Sequence, residues 1–145
     1  MRDTVNHPVL LITLHRLLLA AALLILVFYL AVYIAYAINL MRFPFDYDQG
    51  EGFELVDTLL FSQGRWPYLD TEVFPFYSSN YPPLFHVIAA PFVWLFGPAY
   101  WYGRLLGFLS TLVTAAAIAY AVYREGARRS GQRAYLVIAV LSGLA

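Results

Sequence analysis

From Leu17 to Leu40 the chain carries no charged residue. As a helix these 24 positions rise roughly 36 Å, enough to cross a hydrocarbon core of about 30 Å with some tilt. A second charge-free run, Leu105–Tyr123, has 19 residues and rises roughly 29 Å. Its Ala, Leu, Ser and Thr content suits packing against other membrane helices. A third run starts at Ala134 and is still apolar at Ala145. It reads as the opening of another span, and predicts that the chain is the N-terminal part of a larger multi-spanning protein.

Between the first two runs the pattern shortens. Phe53, Val56, Leu59 and Leu60 recur at helical spacing, with Asp46 or Asp48 placed to cap the start and Gly64 to stop the end. Glu51, three residues after Asp48, resembles the second half of a capping box. This predicts an amphipathic helix near residues 48–63 lying flat on the bilayer. The stretch Val73–Gly103 is also free of charge but is broken by five prolines. Its best helical piece, Pro83–Phe96, has 14 residues, a length that marks an interfacial helix more often than a crossing. Trp94, Tyr100, Trp101 and Tyr102 gather at its end, as rings do at headgroup level.

The composition agrees with the pattern. Hydrophobic residues make up 61% and charged residues 12% of the chain, against about 25% charged in soluble domains. There is no cysteine, so neither a disulfide framework nor a thiolate metal site is available. The formal net charge is zero and all nine basic groups are arginines, which gives no footing for a nucleic-acid partner.

The placement of charge gives an orientation. Residues 124–133, "REGARRSGQR", hold four arginines and one acid, whereas residues 41–103 hold two arginines and seven acids. Cytoplasmic loops carry the arginine excess. The arm 1–16, with Arg2 and Arg16, and the loop 124–133 are therefore expected in the cytoplasm, and residues 41–103 outside. The spans are then 17–40 and 104–123, with 134–145 opening a third. A signal peptide competes for the first run, since "AYA" at 35–37 resembles a cleavage site. The length of the run favours an uncleaved anchor. The resulting fold class is an all-α membrane protein with two amphipathic juxtamembrane helices in its first outer loop, integral to the plasma membrane.

The order of features resembles a known family. A first span is followed by Asp48 and a nearby acid, then "GRWPYLD", then "NYPPL" opening an apolar segment that ends in "LFGP", then Arg104 opening a span. This is similar to the N-terminal module of GT-C glycosyltransferases, polytopic enzymes that include protein O-mannosyltransferases and aminoarabinose transferases. The resemblance covers residues 17–133. It implies transfer of a sugar from a polyprenyl-phosphate donor to a glycan, lipid or protein acceptor on the extracytoplasmic face, with an essential acid in the outer loop. Relatives carry an Asp-Glu pair at that point, where this chain has Asp48 followed by Gln49, with Glu51 the nearest glutamate. Asp48 alone, or with Glu51 or Asp46, fills the role.

Such a reaction needs a base for the acceptor proton, and a partly buried carboxylate at the membrane boundary suits it. Asp48 is the leading choice, against the plain alternative of a helix N-cap. Asp46 and Glu51 assist it or supply hard oxygen ligands to a divalent cation. The leaving phosphate needs donors. Arg104, costly at a span end unless paired or functional, is one choice, and snorkelling is the alternative. His86 stands where several relatives place a lysine near the donor phosphate, and a histidine on an apolar helix is more often a packing residue. Arg65 is the third choice, with a solvated loop residue as its alternative. No nucleotide-binding motif occurs. Two other classes compete: a transporter or channel with an acidic vestibule, and a small assembly subunit whose outer acids are only solvated.

Overall fold

The computed structural model describes residues 7–129 and 132–145. Arg2, in the arm expected over 1–16, and Ser130 and Gly131, in the loop expected over 124–133, lie outside them. Five helices follow in order: α1 (His7–Arg42), α2 (Gln49–Ser62), α3 (Pro83–Phe96), α4 (Trp101–Arg129) and α5 (Gln132–Leu144). No strand occurs among the described residues.

Two of these helices, over Val9–Arg42 and Trp101–Gly126, are long and apolar enough to cross a membrane, and no part of their most apolar stretches is buried within the protein. Both run past the apolar stretches that announce them. Helix α1 starts at His7, with Pro8 in its first turn, where the missing N–H costs no hydrogen bond. Helix α4 continues through Arg124 and Arg128 to Arg129, because Ala and Arg are good helix formers and a single Gly126 is tolerated. Most of the stretch 124–133 is therefore helix rather than loop.

The chain forms two compact units, one made of residues up to Tyr36 with Leu109–Ala145, the other of Ala37–Phe108. In the first, α5 lies close against α4. A Cβ added at Gly143 would stand 2.8 Å from Ala119 Cβ and 3.0 Å from the Ala115 carbonyl oxygen.

The second unit is built on the pair α2 and α3. Helix α2 ends at Gly64, whose φ of 70° is open to glycine, and Arg65 N–H closes the turn on Leu60 O at 2.8 Å. Helix α3 begins with Pro83 at its first position and stops at Gly97, φ 75°. Its 14 residues rise about 21 Å, short of a crossing. The two helices meet through His86, Ala89 and Ala90 on α3 and Asp57 and Thr58 on α2, all buried. Trp94 Nε1 donates to Ser62 O at 2.7 Å, meeting a carbonyl left open at the end of α2.

The face of α2 turned toward α3 carries polar residues. Phe53 is 54% and Val56 47% exposed, while Asp57 and Thr58 are each 1% exposed. The apolar positions that announce the helix partly face out, and polar ones face the partner helix. Tyr102 is also not a ring at a free surface. It is buried, stacked on Phe92 at 5.7 Å, and its hydroxyl accepts from Ala99 N–H at 3.2 Å.

Candidate functional site

Helix α2 presents Asp48, Glu51, Leu55 and Thr58 along one face, at the i, i+3, i+7, i+10 spacing of a helix. These residues and Glu54 line one wall of a cavity of about 290 Å³, lined on other sides by Phe85, Ala99, Tyr100, Tyr102, Gly103 and Arg104. The site thus joins the start of α2 to the first turn of α4, within the second unit.

Asp48 is the N-cap of α2. Its backbone is extended, φ −144° and ψ 162°, and Oδ1 accepts from Gly50 N–H at 2.7 Å and Glu51 N–H at 3.2 Å. These are two of the four donors a helix start leaves open. The residue is exposed, and Oδ2 accepts no hydrogen bond among the described residues. The plain capping role is therefore present, and the residue also lines the cavity. Asp46 is exposed as well and does not line the cavity.

Glu51 is committed elsewhere. Arg104 donates to it through Nε, 2.9 Å to Oε1, and Nη2, 2.6 Å to Oε2, the two-pronged match of guanidinium and carboxylate. Arg104 Nη1 donates to Leu40 O at 2.6 Å and Phe43 O at 2.5 Å, and Nη2 to Phe45 O at 2.8 Å. All five N–H groups of the guanidinium are thus used. Its plane also lies 5.2 Å from the Tyr100 ring centre and 5.9 Å from that of Phe43. Arg104 therefore closes the C-terminal end of α1 and ties it to α2. Each of its N–H groups meets an acceptor within the protein. Hydrogen bonding to Arg104 holds the Glu51 carboxyl below the ordinary glutamate range, against the opposing effect of burial. Both oxygens of Glu51 are thus engaged.

His86 is 0% exposed and stacked on Phe61 at 5.6 Å. Thr58 donates its single hydroxyl proton to Glu54 O at 2.7 Å, and its oxygen stands 3.2 Å from His86 Nδ1. Burial lowers the basicity of the ring, with the charge of Asp57 acting the other way. Glu54 Oε2 lies 3.5 Å from Nδ1, and Asp57 Oδ2 lies 3.8 Å from Nε2. Both Glu54 Oε2 and His86 Nε2 are buried without a hydrogen-bond partner.

Asp57 and Tyr77 complete this group. The Tyr77 hydroxyl donates to Asp57 Oδ1 at 2.5 Å. Burial, then that bond, push the tyrosine well above its ordinary range. Glu54 is raised too, by burial first and by the charge of Asp57 second. Sequence reasoning passed over Glu54, Asp57 and Tyr77. The spacing of Glu54, Asp57 and Thr58 was the available signal, since i, i+3 and i+4 share a helix face.

Arg65 is exposed after the end of α2 and does not line the cavity. Among the described residues no three His, Asp or Glu side chains converge as metal ligands do. Compared with protein-family models, with curated proteins and with solved structures, the chain matches none.

Proposed function

We propose that the chain carries the acceptor-activating part of a GT-C-type membrane glycosyltransferase, moving a sugar from a polyprenyl-phosphate donor to a hydroxyl or amine on the extracytoplasmic face of the plasma membrane. The observation that carries the reading is the cavity of about 290 Å³ with carboxylates of α2 on its wall, beside the start of a helix long enough to span. In this reaction the acceptor oxygen or nitrogen bonds to the anomeric carbon, the bond from that carbon to the phosphate oxygen breaks, and a proton leaves the acceptor. A carboxylate in a partly dry cavity takes that proton.

Of the three acids named from sequence, only Asp48 has a cavity-facing position and a free oxygen, and Glu54 joins it from the structure. The rings of Phe85, Tyr100 and Tyr102 and the side chain of Leu55 supply an apolar wall that suits a lipid-linked substrate. No cation of this cavity is free for the phosphate, so the groups that receive it come from outside the lining described here, Arg65 included.

The test uses full-length protein in lipid vesicles containing a radiolabelled polyprenyl-phosphate sugar and an acceptor extract. Transfer of label by the wild type, and its loss in the double variant Asp48→Asn with Glu54→Gln, is the expected result. Undiminished transfer by a well-expressed double variant refutes the assignment of the site.

A further inference from the structure

We propose that the proton acceptor of this cavity is Glu54, backed by His86 and Asp57, and that Asp48 serves to close the start of α2. The assignment rests on the glycosyl-transfer reading and names the residue that performs its proton step.

The three cavity acids differ in what their oxygens already do. Both oxygens of Glu51 are held by Arg104. One oxygen of Asp48 holds the first turn of α2, a task asparagine performs as well as aspartate. Glu54 lines the cavity with its side chain one-quarter exposed, and neither of its oxygens accepts a hydrogen bond among the described residues. One of them is buried against a ring that is wholly inaccessible. A buried bare oxygen is costly, and gaining a proton on the carboxyl relieves that cost.

The surroundings favour proton gain over a fixed ion pair. From α3, the ring of His86 places Nδ1 3.5 Å from Oε2 without a hydrogen bond to it. From its own helix, Asp57 adds negative charge that disfavours the ionised form of Glu54, with Tyr77 donating to the far side of Asp57. Across the cavity the guanidinium of Arg104 is neutralised by Glu51. Among the described residues no free cation stands next to Glu54 to hold it as an inert carboxylate.

The step balances as follows. The acceptor O–H or N–H proton passes to the Glu54 carboxylate while the acceptor atom bonds to the anomeric carbon. The electron pair of the broken bond leaves with the lipid phosphate. Glu54 then returns the proton to water through the open side of the cavity.

The experiment compares single variants in the full-length protein, with pH–rate profiles. Glu54→Gln is expected to lower kcat by about 100-fold or more with KM little changed, the scale of a lost general base. Asp48→Asn is expected to lower kcat by less than Glu54→Gln does, because the cap survives. Asp57→Asn removes the charge that raises Glu54, so the acid limb of kcat/KM moves to lower pH. Titration of the wild-type Glu54 carboxyl by 13C NMR, which needs no turnover and no buried substitution, is expected above the ordinary glutamate range. Transfer that survives Glu54→Gln, an Asp48→Asn loss as deep as that of Glu54→Gln, or a Glu54 that titrates at or below the ordinary range overturns the assignment alone. No transfer by the wild type overturns the reaction itself.

Discussion

Replacing Arg104 separates a structural arginine from a phosphate-binding one. Its side chain is 5% exposed and its partner Glu51 24%. Arg104→Gln leaves the Glu51 carboxylate without its counter-ion and frees three carbonyl oxygens, of Leu40, Phe43 and Phe45. Breaking a buried pair from one side costs about 3–5 kcal/mol, and partial exposure of Glu51 puts this one near the lower end. Phe43 and Phe45 are exposed, so their carbonyls recover water and add only about 1 kcal/mol together. The expected loss is about 4 kcal/mol, on the order of 10 °C in Tm. Arg104→Lys keeps the charge without the fork and loses about half as much. Glu51→Gln combined with Arg104→Gln falls short of the summed single losses by about 2 kcal/mol, as a direct pair requires. All three tryptophans, Trp66, Trp94 and Trp101, lie in the same unit. Their fluorescence during unfolding in mild detergent reads the effect. An Arg104→Gln protein within about 1 kcal/mol of wild type, or strictly additive losses, refutes the structural role.

The other predictions concern caps, pH and packing. Asp48→Ala destabilises by about 1 kcal/mol while Asp48→Asn leaves stability unchanged, checked by the same fluorescence. The folded Glu51 carboxyl titrates below the ordinary range. Its contribution is therefore fully present above the unfolded value of about 4.3 and is lost as pH falls through the lower folded value. Glu51→Gln removes that acid-side loss, measured by unfolding between neutral pH and pH 3. Gly143→Val forces a Cβ to 2.8 Å from Ala119 and 3.0 Å from the Ala115 carbonyl. It costs about 1–3 kcal/mol of overpacking, read by circular dichroism since no tryptophan lies in that unit.

How far the sequence disclosed this structure depends on what each signal encodes. Length and lack of charge encode the crossing capacity of α1 and α4, because no tertiary partner is needed to define them. The ends of those helices are less legible. Arginines mark where hydrophobicity stops, yet arginine is a good helix former, so α4 continues through Arg124 to Arg129. The Asp48 cap was legible as a local motif, confined to three residues. The role of Arg104 was not, since its partners Leu40, Phe43 and Phe45 lie about sixty residues away and act through backbone oxygens, which leave no trace in residue identity.

The polar seam on α2 has a different origin and bears on the site. Periodicity identifies a helix face but not the medium on either side of it. The sequence reading assigned the apolar stripe to the bilayer beneath a surface helix and the acids to water. In the structure the acids Glu54 and Asp57 share their side of the helix with His86, while Phe53 and Val56 stay exposed. Burying carboxylates next to a neutral imidazole is unfavourable in a water-soluble pair, where an apolar seam stabilises more. The arrangement becomes reasonable where the surroundings of the pair are themselves apolar, because the polar groups then have no better solvent than one another. An apolar exterior and a titratable interior are thus two sides of one requirement. The same requirement leaves Glu54 as an acid without a counter-ion at the edge of a cavity.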